Sequence, residues 1–121
     1  MKLSNRIIQA ALECQYKGIN RDYDHSFTLD LPYLKSKITI AFNLIQKGEV
    51  IFEEVVFESE LTSRYLGVID MYIGLLQKRA LEASDRINIK EFDYYCRDSK
   101  EVPAFEYYNN ELYEILGTVS Y

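Results

Sequence analysis

The sequence predicts an α+β fold: a three-stranded antiparallel sheet with an N-terminal helix and three C-terminal helices packed on it. Three observations predict it. Apolar and polar residues alternate through much of 26–58, the pattern of half-buried strands. Before and after that stretch the apolar residues recur every three to four positions, the helical period. Strands followed by a run of helices is the order of an α+β layout rather than of alternating βα units.

Leu3, Ile7, Ala10, Ala11 and Cys14 share one helical face, which predicts a helix over 3–16, with Gly18 as its stop signal. "KGINRDYDH" (17–25) is polar and reads as a loop. In "SFTLDL", Phe27, Leu29 and Leu31 alternate with polar neighbours, and Pro32 ends that strand. "KSKITIAFNLI" places Ile38, Ile40, Phe42 and Leu44 on one face, and "QKGE" follows as a turn in which Gly48 can take a positive φ. "VIFEEVVFE" is the partner strand. Its adjacent Glu53 and Glu54 break the alternation and predict a bulge or an edge.

Ser59 reads as the N-cap of a long helix, with Glu60 in its first turn. Leu61, Tyr65, Val68, Ile69, Tyr72, Leu75 and Leu76 form its apolar stripe, widened by Leu66 and Ile73, so this helix should be central and buried. A second stripe holds Ser63, Gly67, Asp70 and Gly74. Glycine in a helix costs about 1 kcal/mol relative to alanine, so two on one face predict the close approach of another backbone: a strand, the N-terminal helix or another protein. Asp70 then lies at a solvent edge or is paired, with Arg64 or Arg86 as candidates. After "QKRALEAS", Asn88 with Glu91 three positions on marks a helix start, continued by Ile89, Phe92, Tyr95 and Cys96. Pro103 suits the first position of a last helix burying Phe105, Tyr108, Leu112, Ile115 and Leu116.

The 121 residues fit a single domain, 1–121, with no linker or repeat. A composition 48% hydrophobic and 27% charged is that of an ordinary globular chain. The net charge of -5, without any Lys/Arg run, argues against nucleic-acid binding. The start "MKLSNRIIQA" is not that of a signal peptide. The longest apolar stretch, Tyr65–Leu76, contains Asp70 and is too short to span a bilayer. A cytoplasmic protein with Cys14 and Cys96 reduced is expected. Eleven Tyr, six Phe and no Trp suit half-buried positions and interfaces, a homodimer included. There is no Gly-rich phosphate loop and no nucleophile motif, and the single His25 has no triad partners beside it. No enzyme activity and no cofactor are expected.

The order of elements, carried by "KITIAFNLIQKGEVIFEEVVFESE", the long helix with its small-residue stripe, "QKRALEASDRINIKEFDYYC" and the segment from Pro103, resembles the SufE/NifU superfamily, and within it the NifU-like iron–sulfur cluster scaffolds. The resemblance covers about 90 residues by pattern. It implies an α+β fold and, in the family, three ligand cysteines assisted by an aspartate, since soft thiolates bind iron and zinc tightly. The corresponding places here hold "LPYLKS" (31–36), Ser59 or Glu60, and "VPAFEY" (102–107). All three cysteines are missing, as is the aspartate near 34–36. The single sulfur-accepting cysteine of the SufE branch would fall near Leu34 and is also missing.

The resemblance therefore implies a scaffold-like protein that has lost its ligands and binds another protein, an iron–sulfur assembly component by analogy, through the former cluster end: Tyr33, Leu34, Ser59, Glu60 and Phe105. Leu34 and Phe105 would turn a metal pocket into an apolar patch. A second reading is a metal or sulfur carrier using Cys96 (beside Arg97), Cys14 or His25 (in "DYDHS"). A third is a small structural or regulatory domain with no link to iron–sulfur assembly.

Overall fold

The structure, a computed structural model, describes residues 1–118 apart from the Arg86 side chain. The order is α1 (Asn5–Glu13), β1 (His25–Leu31), β2 (Ser36–Lys47), β3 (Glu49–Glu58), α2 (Tyr65–Leu76), a 3₁₀ helix (Leu81–Arg86), α3 (Ile89–Cys96) and α4 (Asn110–Leu116). The sheet is an antiparallel meander in the order β1-β2-β3. Its inner face carries Phe27, Leu31, Ile38, Ile40, Phe42, Val55 and Phe57, which join the core with Ile69, Tyr72, Ile73 and Leu76 of α2. The opposite face carries Thr28, Lys37, Thr39 and Glu58.

The predicted bulge is real. Asn43 pairs with Glu54 and Leu44 with Phe52, so Glu53 is the extra residue. Gly48, at φ 73°, turns the chain between β2 and β3. The close approach predicted for α2 is made by α1. A Cβ on Gly67 would lie 2.1 Å from the Ile7 carbonyl oxygen and 2.8 Å from the Ala11 nitrogen. Asp70, buried, accepts the Tyr16 N–H at 2.8 Å. Neither arginine is needed: Arg64 forms no salt bridge among the described residues, and the Arg86 side chain lies outside them. Burial still raises the Asp70 pKa above the usual carboxylate range, against the lowering effect of the Tyr16 and Gln15 amides.

Three boundaries differ from expectation. The first helix is shorter than 3–16. Ser4 caps it, its Oγ accepting the Ile7 N–H, and Cys14 ends it in a left-handed conformation (φ 46°, ψ 60°). The chain then leaves because β3 takes its backbone: Tyr16 O accepts the Phe57 N–H, and the Gly18 N–H donates to Phe57 O. The second helix starts at Tyr65, so Ser59 is not its N-cap and Glu60 is not in its first turn. The Ser59 hydroxyl donates to Lys37 O at 2.9 Å and accepts the Leu61 N–H, which holds 59–62 as a loop. The last helix starts at Asn110, capped by Asn109, not at Pro103. Residues 104–106 are held instead by the N-terminus and α3. Ser4 N–H donates to Ala104 O, Glu106 N–H donates to Lys2 O, and Leu3 bridges Phe105. The Ala104 N–H goes to Asp93, whose buried carboxylate also accepts from Arg97 Nε and the Tyr108 hydroxyl.

Candidate functional site

β1 and β2 are joined by Pro32–Lys35, closed by the Lys35 N–H donating to Pro32 O, with Lys35 itself left-handed at φ 53°. The Tyr33 and Leu34 N–H groups donate to the Glu114 carboxylate of α4 at 3.1 and 3.3 Å. This turn and the loop after β3 meet along the outer face of the sheet. Between them lies an open crevice of about 840 Å³, whose lining includes Thr28, Lys35, Lys37, Glu58, Glu60 and Thr39. The four charged side chains are exposed. Lys37 also lies 4.0 Å from Asp30, and Thr28 and Thr39 share a hydroxyl hydrogen bond of 2.8 Å. Two ammonium groups, two carboxylates and several hydroxyls can satisfy a charged or hydrogen-bonding polymer. The threonine hydroxyls face each other, and His25 projects from the opposite face of the sheet, stacked on Phe42 at 5.0 Å between ring centroids.

The five residues predicted as a binding face do not form one surface. Tyr33 is exposed and Glu60 is exposed, while Ser59 is buried beneath them with its hydroxyl on Lys37 O. Leu34 packs half-buried against the core. Phe105 is 2% exposed and lies in the core, its ring 5.7 Å from Phe92 and 6.4 Å from Tyr108. The expected apolar patch of Leu34 and Phe105 is therefore absent, because the Leu3 bridge turns Phe105 inward. What sequence reasoning missed is the pair Lys35 and Lys37 with Glu58. Alternation already put Lys37 on the face opposite Ile38, but nothing local told that the 59–62 loop would curl over it.

Cys96 is fully buried on α3, and burial pushes its thiol far up. Cys14 is half-buried, donates to Ala11 O, and is raised first by burial and then by the Asp70 carboxylate. Neither thiol has the exposed, electropositive setting of a reactive cysteine. Among the described residues no group of three or more His, Cys, Asp and Glu side chains is placed to hold a metal ion, and no helix is long and apolar enough to cross a membrane. Compared with protein-family models and with curated proteins, the chain matches none.

Proposed function

We propose that this chain is a non-catalytic, NifU-like protein-binding domain of the cytoplasm, without the ligand cysteines of that family, that docks a partner polypeptide at the crevice between Pro32–Lys35 and the loop after β3, as an accessory factor to iron–sulfur cluster assembly. One observation carries the reading. Lys35 and Ser36, just after the place where the resemblance expects the first ligand cysteine, and Ser59 and Glu60, at the place of the second, line one crevice with charged side chains and hydroxyls. The form of the crevice favours a macromolecule over a small metabolite. Small-molecule pockets bury most of their ligand, whereas this one is open and edged by Lys35, Lys37, Glu58 and Glu60, like the polar rim of an interface. Tyr33, exposed beside it, supplies the kind of aromatic anchor that dominates binding energy.

Two measurements test this. Anaerobic reconstitution with iron and sulfide, with metal analysis of the purified protein, should give neither cluster nor bound metal. A stoichiometric cluster lost in Cys14→Ser/Cys96→Ser would overturn the reading. Photo-crosslinking from Tyr33→p-benzoylphenylalanine and from the same substitution at Glu60 should capture one iron–sulfur assembly component that Lys90→p-benzoylphenylalanine does not. Capture should vanish on Lys37→Glu with the fold retained. Equal capture from Lys90 would remove the crevice as the site.

A further inference from the structure

The two edges of the sheet are treated differently. On β3 the outward backbone groups of Phe52, Val55 and Phe57 are answered. Phe57 bonds Tyr16 and Gly18. Val55 N–H and O bond the two ends of the Gln77 side-chain amide. Phe52 N–H and O bond Arg79 and Lys78. That pattern also fixes the other edge. Because Phe57 points away from β2, its partner Ile40 points its N–H and C=O toward β1. Phe27, opposite Ile40, therefore points back toward β2. Ser26, Thr28 and Asp30 must point outward, and among the described residues none of their backbone groups has a hydrogen-bond partner.

β1 has few of the usual defences of an edge strand, Asp30 being its one carboxylate. It has no Pro, no Lys and no bulge, and its register with β2 runs unbroken from His25 to Leu31. On its inner face Phe27 is only half-buried and Leu29 is 37% exposed, so apolar surface continues up to the open edge.

We propose that β1 pairs antiparallel with β1 of a second copy, across a two-fold axis at Thr28, to give a continuous six-stranded sheet. The strand is self-complementary in that register. Thr28 meets the partner's Thr28, and Ser26 meets the partner's Asp30, a hydrogen-bonding pair where carboxylates placed opposite one another would repel. On the inner face Phe27 meets the partner's Leu29. Each of these is a favourable cross-strand neighbour. Among the registers that place Ser26, Thr28 and Asp30 in hydrogen-bonded positions, this one alone pairs the whole of His25–Leu31 with itself. Shifting it by two residues brings Pro32 or the chain before His25 into the ladder. The interface is narrow, so dissociation in about the micromolar range is expected, as for other small interfaces. Thr28 also lines the crevice, so pairing sets the two crevices side by side on one face of the joined sheet.

Sedimentation equilibrium across a wide concentration range tests this on the full chain. Wild type should show a reversible dimer. Ser26→Asp, which faces the partner's Asp30 twice per dimer, should raise the dissociation constant about tenfold. Ser26→Lys should lower it several-fold. Thr28→Pro removes an outward N–H without touching the β2 ladder and should leave a folded monomer by circular dichroism. If Thr28→Pro fails to fold, the two Ser26 variants still decide. A wild type that stays monomeric, or a dimer indifferent to both Ser26 charges, overturns the proposal. Either result leaves the crevice reading intact, since that is tested at Lys37, Tyr33 and Glu60.

Discussion

Gly67→Ala is the sharpest test of the packing that holds α1 in place. The added Cβ would sit 2.1 Å from the Ile7 carbonyl oxygen and 2.8 Å from the Ala11 nitrogen. Both are backbone atoms, so no side chain can rotate aside. Carbon and carbonyl oxygen ordinarily meet at about 3.3 Å, so α1 must retreat by about 1 Å. A gap of that size forfeits a quarter to a half of the dispersion energy of the contacts along the seam. Overpacking of this kind costs about 3 kcal/mol at its upper range, and the better helix propensity of alanine returns about 1 kcal/mol. The net loss is about 2 kcal/mol, or about 8 °C in Tm for a domain of this size. Gly74→Ala is the matched control. Its Cβ would meet the Tyr16 ring edge at 2.8 Å and the Tyr95 hydroxyl at 3.2 Å, both ends of movable side chains, so its stability should stay within about 1 kcal/mol of wild type. Urea unfolding followed by far-UV circular dichroism measures both, provided the slope is unchanged. Gly67→Ala proving no worse than Gly74→Ala would refute the helix contact.

Asp93→Ala leaves the buried Ala104 N–H without its acceptor and takes one partner each from Arg97 Nε and the Tyr108 hydroxyl, and should cost about 2 kcal/mol in urea unfolding, whereas Asp93→Asn, which keeps an acceptor, should cost less. Burial and the hydrogen bond to Asp93 push the Tyr108 phenol up to about 12. The fold therefore favours its neutral form. That contribution is complete below the unfolded value of 10.0 and is lost as pH rises through about 12. The stability gap between wild type and Tyr108→Phe should shrink over that window, and a flat gap would contradict the placement. Cys96 should resist alkylation in native protein until the chain unfolds, so modification as fast as a free thiol model would show that α3 is not packed as described.

The meander was legible because its signals are local. Period-2 alternation identified Ile38, Ile40 and Phe42 as one face, and the adjacent Glu53 and Glu54 announced the bulge. Asn88 and Glu91 marked a helix start for the same reason, since the cap is a contact between near neighbours. Ser59 misled because its hydroxyl had a stronger claim on it from Lys37 O, 22 residues away. The segment from Pro103 misled similarly. Its apolar spacing fits a helix, but its backbone groups are taken by Lys2, Ser4 and Asp93. The candidate site depended on both errors. Glu60 and Tyr33 stayed at the surface, and Phe105 left it, because of contacts that no short window of sequence contains.

The bridge from Leu3 to Phe105 has a consequence for the order in which the chain can be made. Ser4 and Lys2 wait for Ala104 and Glu106, and Asn5 and Arg6 wait for the Asp98 carboxylate. On a ribosome the meander can close as soon as β3 emerges, and α1 can seat on Gly67, and Tyr16 on Asp70, once α2 follows. The bonds of residues 2–6 to Asp98, Ala104 and Glu106 have to wait until those residues have left the exit tunnel. Closing so long a loop is slow relative to hairpin formation, so the clasp between these two distant segments should form late, onto an α1 already docked.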